Sequence, residues 1–96
     1  MIRKHIIAHG RVQGVGMRFT VIGFARKYHV TGWVRNLYDG TVEMEVQGAP
    51  HRVALFMDEL TSREPGGNRF IHIDNLDISD IPPVNATSET DFNARF

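Results

Sequence analysis

The stretch Trp33-Val34-Arg35-Asn36-Leu37-Tyr38-Asp39-Gly40-Thr41-Val42-Glu43-Met44-Glu45-Val46-Gln47 holds two strand patterns on either side of a turn. Val42, Met44 and Val46 share one parity; Thr41, Glu43, Glu45 and Gln47 share the other. Residues 41–47 therefore read as a strand with one face buried and one face in water. Residues 33–37 read as the strand before it. Between them Asp39-Gly40 predicts a two-residue hairpin of type I′, which needs positive φ at both central positions.

Upstream of the hairpin, residues 19–29 carry an apolar stripe of Val21, Phe24, Ala25 and Tyr28, spaced i, i+3, i+4, i+7 as on one face of a helix. Gly23 weakens that helix by up to about 1 kcal/mol relative to Ala, so it is expected where the helix packs closely. Before the helix, Ile2, Ile6 and Ala8 alternate with Arg3, His5, His9 and Arg11, with Ile7 the exception, and residues 2–11 read as a strand. Downstream, Pro50 opens a second helix whose stripe is Val53, Phe56, Met57 and Leu60. Two one-sided helices suit a single face of a sheet.

Residues 63–69 are polar and rich in Gly and Pro, a loop before a fourth strand at 70–78. The alternation slips within that strand: Ile71 and Ile73 have one parity, Leu76 and Ile78 the other. Either a bulge lies near Asp74-Asn75 or the strand starts after Phe70. Residues 80–90, with Pro82-Pro83, read as a second loop and the most mobile segment. Phe92, Ala94 and Phe96 alternate with polar residues in a short last strand. The order is β-α-β-β-α-β plus a terminal strand, which predicts an α+β sandwich of the ferredoxin-like type, with two helices on one face of a mainly antiparallel sheet.

The totals narrow the function. The 96 residues, 42% hydrophobic and 23% charged, fit one domain over 1–96, able to bury roughly two-thirds of its unfolded surface. With no Cys there is no disulfide, thiolate nucleophile or cysteine metal site. Eleven basic and eleven acidic residues cancel, which argues against a nucleic-acid partner. The apolar run at the N-terminus is too short for a signal-peptide core, and nothing approaches a membrane span. We expect a cytoplasmic monomer. His5 and His9 share a strand face about 13 Å apart, too far to chelate one ion; His29, His51 and His72 are scattered. Glu43 and Glu45 read as a solvated face and Trp33 as a packing residue.

Chemistry concentrates in Gly10-Arg11-Val12-Gln13-Gly14-Val15-Gly16-Met17-Arg18, which joins the first strand to the first helix. Glycines let the backbone curl with its N–H groups converging on an anion, and the helix that follows adds free donors and the positive end of its dipole. Arg18 at that entrance can give a phosphate two parallel charged hydrogen bonds. The segment is neither a P-loop, lacking Gly-Lys-Ser/Thr, nor a Gly-x-Gly-x-x-Gly turn. Spacing alone leaves two readings open, a phosphate cradle or a flexible turn with an incidental Arg. Asn36, at a strand end, is likewise either turn chemistry or a carboxamide that holds a water in one orientation.

Together the two segments resemble a family. Gly10-x-Val12-Gln13-Gly14-Val15-x-Met17-Arg18 is similar to the first signature of the acylphosphatases, and Gly32-Trp33-Val34-Arg35-Asn36-x-x-x-Gly40-x-Val42-x-x-x-x-x-Gly48 to the second. The resemblance covers nearly the whole chain in length and element order, and is weakest at 65–72 and 81–90. It implies hydrolysis of the carboxyl-phosphate bond of a small-molecule acyl phosphate. The phosphoryl group would lie on the backbone N–H groups of Gln13, Gly14, Val15, Gly16, Met17 and Arg18 and on the Arg18 guanidinium, with Asn36 positioning water. No metal or cofactor is implied. A loop that encloses only the phosphoryl head predicts broad specificity for the acyl tail.

Two rivals remain. The same cradle could bind acyl or carbamoyl phosphate without turnover, as acylphosphatase-like domains do inside larger maturation proteins. An RNA-binding domain has the same βαββαβ order, but the neutral charge and the absence of a Lys/Arg-Gly-Phe/Tyr-Gly/Ala-Phe stacking motif on the third strand oppose it.

Overall fold

The alternation in the first strand pattern builds the middle of the molecule. A computed structural model describes residues 1–96. It places β1 at Ile2–Arg11, α1 at Met17–Lys27, β2 at Thr31–Asn36, β3 at Val42–Gly48, α2 at Pro50–Leu60, β4 at His72–Ile81 and β5 at Phe92–Ala94. The sheet order is β4-β1-β3-β2-β5. β1 pairs antiparallel with β3 and β4, β2 antiparallel with β3, and β2 parallel with β5. β1 and β2 both run against β3, so they run parallel to each other with α1 as their crossover, and α2 carries the chain from β3 to β4. This is the ferredoxin-like arrangement expected.

Both helices cover one face. Ile6, Ala8, Val34, Val42, Met44 and Val46 rise from the sheet to meet Val21, Phe24 and Ala25 of α1 and Val53, Phe56 and Leu60 of α2, all buried. Phe24, Phe56 and Phe92 form a tilted aromatic row, with ring centroids 5.0 and 6.0 Å apart, a spacing that favours ring edges over faces.

Several expectations need correction. The α1 helix lies at Met17–Lys27, two residues nearer the N-terminus than 19–29: Gly16 caps its start, and His29 adopts a left-handed conformation just past its end. Gly23 has open space where a Cβ would be and is exposed, so close packing does not explain it. The β2–β3 turn is not type I′. Gly40 N–H donates to Leu37 C=O and Leu37 N–H to Thr41 C=O, and Gly40 has a φ of 91° while Asp39 keeps a negative φ. That is a three-residue loop, Tyr38-Asp39-Gly40, ending on a left-handed glycine. Asp39 stabilises it by accepting from the Thr41 N–H at 3.0 Å and the Thr41 hydroxyl at 2.6 Å.

In β4 both explanations of the parity slip hold. The strand starts at His72, and its register against β1 shifts between His9 and Gly10, leaving Asp74 as the bulged residue. It also runs on to Ile81, through positions read as loop.

The outer face of the sheet is less wet than the alternation predicts. The segment from β4 to β5 must pass from one sheet edge to the other, and it covers the end of the sheet where β1 begins. Val84 exchanges hydrogen bonds with the Gln47 side chain at 2.8 and 3.0 Å, and Glu89 grips Arg3. Gln47 and Arg3 are therefore buried, while Thr41, at the other end of the sheet, is buried beside Asp39 and Gln13 of the hairpin and loop. Glu43 and Glu45 are ion-paired and half-buried rather than freely solvated: Glu45 meets Arg3, and Glu43 meets His5 and Arg35. Burial pushes the Glu43 pKa up, but the hydrogen bonds with His5 and Arg35 outweigh it and hold the carboxyl below its usual range. Trp33 is buried as a packing residue, with the guanidinium groups of Arg35 and Arg95 over its ring at 5.4 and 4.3 Å.

Candidate active site

Because β1, β2 and β5 run parallel, their C-terminal ends meet at one end of the sheet, where α1 begins. The connection from β1 to α1 is anchored at both ends by burial: Val12 and Met17 are in the core. Between these anchors the chain turns through Gly14 at φ 73° and Gly16 at φ 78°, ψ 21°, conformations that cost an L-residue with a Cβ about 1–2 kcal/mol.

Gly16 is the N-cap of α1, so no side chain occupies the helix N-terminus, and the first turn holds no acidic residue. The backbone N–H groups from Gln13 to Arg18 donate to no backbone acceptor. Free donors at a helix start favour an anion, through their partial positive charge and the helix dipole.

Two carboxamides brace the loop. Gln13 Nε2 donates to Leu37 C=O at 2.7 Å and to Thr41 C=O at 2.8 Å, tying the loop to the hairpin that follows Asn36. Asn68 Nδ2 donates to Val15 C=O at 2.8 Å from the other side and reaches Thr20 Oγ1 at 3.2 Å. The sequence reading assigned Gln13 only a backbone role and missed Asn68, a polar residue in a polar loop with no signal to mark it.

Arg18 is half-buried at the second position of α1 and takes part in none of the chain's ion pairs. Its guanidinium lies over the Phe96 ring, 5.1 Å from the centroid. Asn36 is exposed at the end of β2, and Asn36 and Arg18 line one cleft of about 340 Å³ with Val12, Gly14, Gly16 and Met17. Of the predicted loop residues, Gln13 and Val15 do not line the cleft: Gln13 turns its side chain to the hairpin, and Val15 packs against the core. Their N–H groups still belong to the unpaired run.

Size does not pick this site. The largest cavity, about 800 Å³, lies between the end of α2 and the start of β4 and shares no residue with the cleft. It is lined by charges of both signs, among them Arg63, Glu64, Arg69 and Asp74. No group of three or more His, Asp or Glu residues is placed to hold a metal.

A family profile for acylphosphatases matches residues 4–94. The acylphosphatase of Bifidobacterium longum is 38% identical over 88 residues, covering 92% of this chain and 87% of that protein. The crystal structure of acylphosphatase from Bacillus subtilis superposes with a TM-score of 0.84 at 26% identity, over the full length of both chains. HypF of Thermococcus kodakarensis matches with a TM-score of 0.82 at 29% identity, over all of this chain but only 12% of that one. Signatures, topology and family match agree: the chain belongs to the acylphosphatase family.

Proposed function

We propose that this chain hydrolyses acyl phosphates to a carboxylate and inorganic phosphate. The N–H groups of residues 13–18 and the Arg18 guanidinium hold the phosphoryl oxygens, and Asn36 orients the attacking water. The observation that carries this reading is Arg18, a half-buried cation without a carboxylate, set beside the free N–H donors and sharing a cleft with Asn36.

Water attacks phosphorus, the bond between phosphorus and the carboxyl oxygen breaks, and the carboxylate departs with its electron pair. The conjugate acid of that carboxylate has a pKa of roughly 4, so it leaves without a general acid. The water's proton goes to the phosphate released. Phosphoryl transfer depends on positioning and charge stabilisation, which a cradle, an arginine and a carboxamide can supply. The reading uses no metal, cofactor or nucleic acid, and it keeps the expectation of a cytoplasmic monomer. No helix is long and apolar enough to cross a membrane.

A second reading retains the cradle and drops turnover. The match to a small part of the much longer HypF favours it, since a domain of this shape also serves within a larger chain. The similar length of the Bifidobacterium longum acylphosphatase favours turnover. Hydrolysis of benzoyl phosphate in the presence of a metal chelator separates the two. We expect steady release of benzoate and phosphate; binding without release by folded protein would replace the enzyme with a binding module.

A further inference from the structure

The cleft is larger and more apolar than a phosphoryl group and one water require. At about 340 Å³ it falls in the range of small-molecule pockets, which is about 300–1,000 Å³. Six of its ten lining residues are hydrophobic. One wall is α1, with Phe19 and Ile22 beside Arg18. The other is formed by the ends of β2 and β5, with Asn36 and Ala94, and Phe96, past the end of β5, reaches across to the Arg18 guanidinium.

Two of these side chains stand out by exposure. Phe19 is 85% exposed and Phe96 is 104% exposed, so neither ring serves the core. Single exposed apolar residues need no explanation, but these two border one cleft together with Ile22 and Ala94. Phe19 and Ile22 lie three apart on α1 and so share a helix face. Phe96 is fixed to the phosphate grip by its contact with the Arg18 guanidinium.

We infer that Phe19, Ile22 and Phe96 form a subsite for the acyl tail, which makes the enzyme selective for acyl phosphates with an apolar acyl group. The inference rests on the hydrolytic reading above. In that reading the carboxyl carbon is one oxygen away from the phosphorus held by the loop, so the tail must start within the cleft. In-line displacement puts the leaving group across the phosphorus from the water. With Asn36 on the strand wall, the departing carboxylate and its tail face the α1 wall, where Phe19 and Ile22 stand. The Phe96 ring closes the same space from the side of Arg18. Selectivity for the tail replaces the broad specificity expected from the loop alone.

The test uses acetyl, butanoyl and hexanoyl phosphates. Their parent acids have nearly equal acidity, so intrinsic reactivity is matched and only tail contact differs. We expect kcat/KM to rise about tenfold from acetyl to hexanoyl phosphate, the modest gain of an open apolar wall. The double variant Phe19→Ala, Phe96→Ala should flatten that series, chiefly by raising KM for hexanoyl phosphate, and Phe19→Leu should restore part of the slope. Both rings are exposed, so the folding of these variants is not at stake. Equal kcat/KM for all three substrates, or an unchanged slope in the double variant, would overturn the subsite and leave the hydrolytic reading standing. Folded protein that hydrolyses none of the three would overturn both.

Discussion

Arg3 and Arg18 stand at opposite ends of the fold in opposite surroundings. Arg3, near the start of β1, is 3% exposed and spends its donors on its own chain. Nε binds Glu45 at 2.7 Å, Nη1 binds Gln47 at 3.1 Å, and two parallel bonds reach Glu89 at 2.8 and 2.9 Å. The Glu89 hydrogen bond holds its pKa above the ordinary arginine value despite the opposing cost of burial. Arg18, beyond the end of β1, has an aromatic ring under it and no carboxylate. A buried cation neutralised by its own carboxylates holds the structure together. A half-buried cation left without one is available to an anionic ligand.

Exchanging each arginine for glutamine breaks this comparison most sharply. Arg18→Gln should lower kcat/KM for benzoyl phosphate by on the order of a thousandfold, the scale of losing a charged transition-state contact. Its thermal stability should stay within about 0.5 kcal/mol of the parent, since no partner is orphaned. Arg3→Gln should do the reverse. It leaves two carboxylates unpaired and should cost about 3 kcal/mol in chemical denaturation, with turnover preserved while the protein stays folded. A stability loss at Arg18 matching that at Arg3 would contradict the division of labour.

Asn36 sharpens the functional side. Asn36→Ala should cut kcat by about a hundredfold and leave KM little changed, because its carboxamide is assigned to water rather than to substrate. Wild-type turnover would return Asn36 to turn chemistry.

The smallest effect is on the structural side, in acid. Burial raises the Glu89 pKa, but the hydrogen bond from Arg3 and the charges of Arg3 and Arg95 outweigh it and leave the carboxyl below its usual range. A depressed carboxylate contributes stability above its unfolded pKa of about 4.3, and loses it as pH falls through the folded value. Melting temperature should therefore fall below about pH 4, and Glu89→Gln, less stable at pH 7, should lose less on acidification. Parallel pH curves for the two proteins would show that the ion pair does not link acid stability to Arg3.

Local pattern made much of the fold readable. The period-2 alternation of β3 and the i, i+3, i+4, i+7 stripes of α1 and α2 each state which side faces the core, and two one-sided helices demand one sheet face. The candidate pair Arg18 and Asn36 could be singled out because a glycine-rich strand-to-helix turn and a strand-end Asn occur in two long signatures, and folding brings both to one cleft. The misreadings fall where a distant segment intervenes. Gln47 and Arg3 look like surface residues in any window around them, and only the return of residues 82–91 across the sheet buries them. Asn68 carries no local mark as a brace, since Val15 and Thr20 are far from it in sequence. The hairpin turn depended on Asp39 bonding to Thr41, a contact that Asp-Gly alone does not reveal.

The sequence by itself determined the parts: alternating strands, two one-sided helices, a glycine-rich turn ending in Arg18, and Asn36 at a strand end. Those follow from short-range sterics and from the periodic burial of apolar side chains. Only the tertiary structure decided which of eleven basic side chains remained free for a ligand. A guanidinium's availability depends on the carboxylates brought near it from distant parts of the chain. Folding delivered Glu45 and Glu89 to Arg3 and none to Arg18.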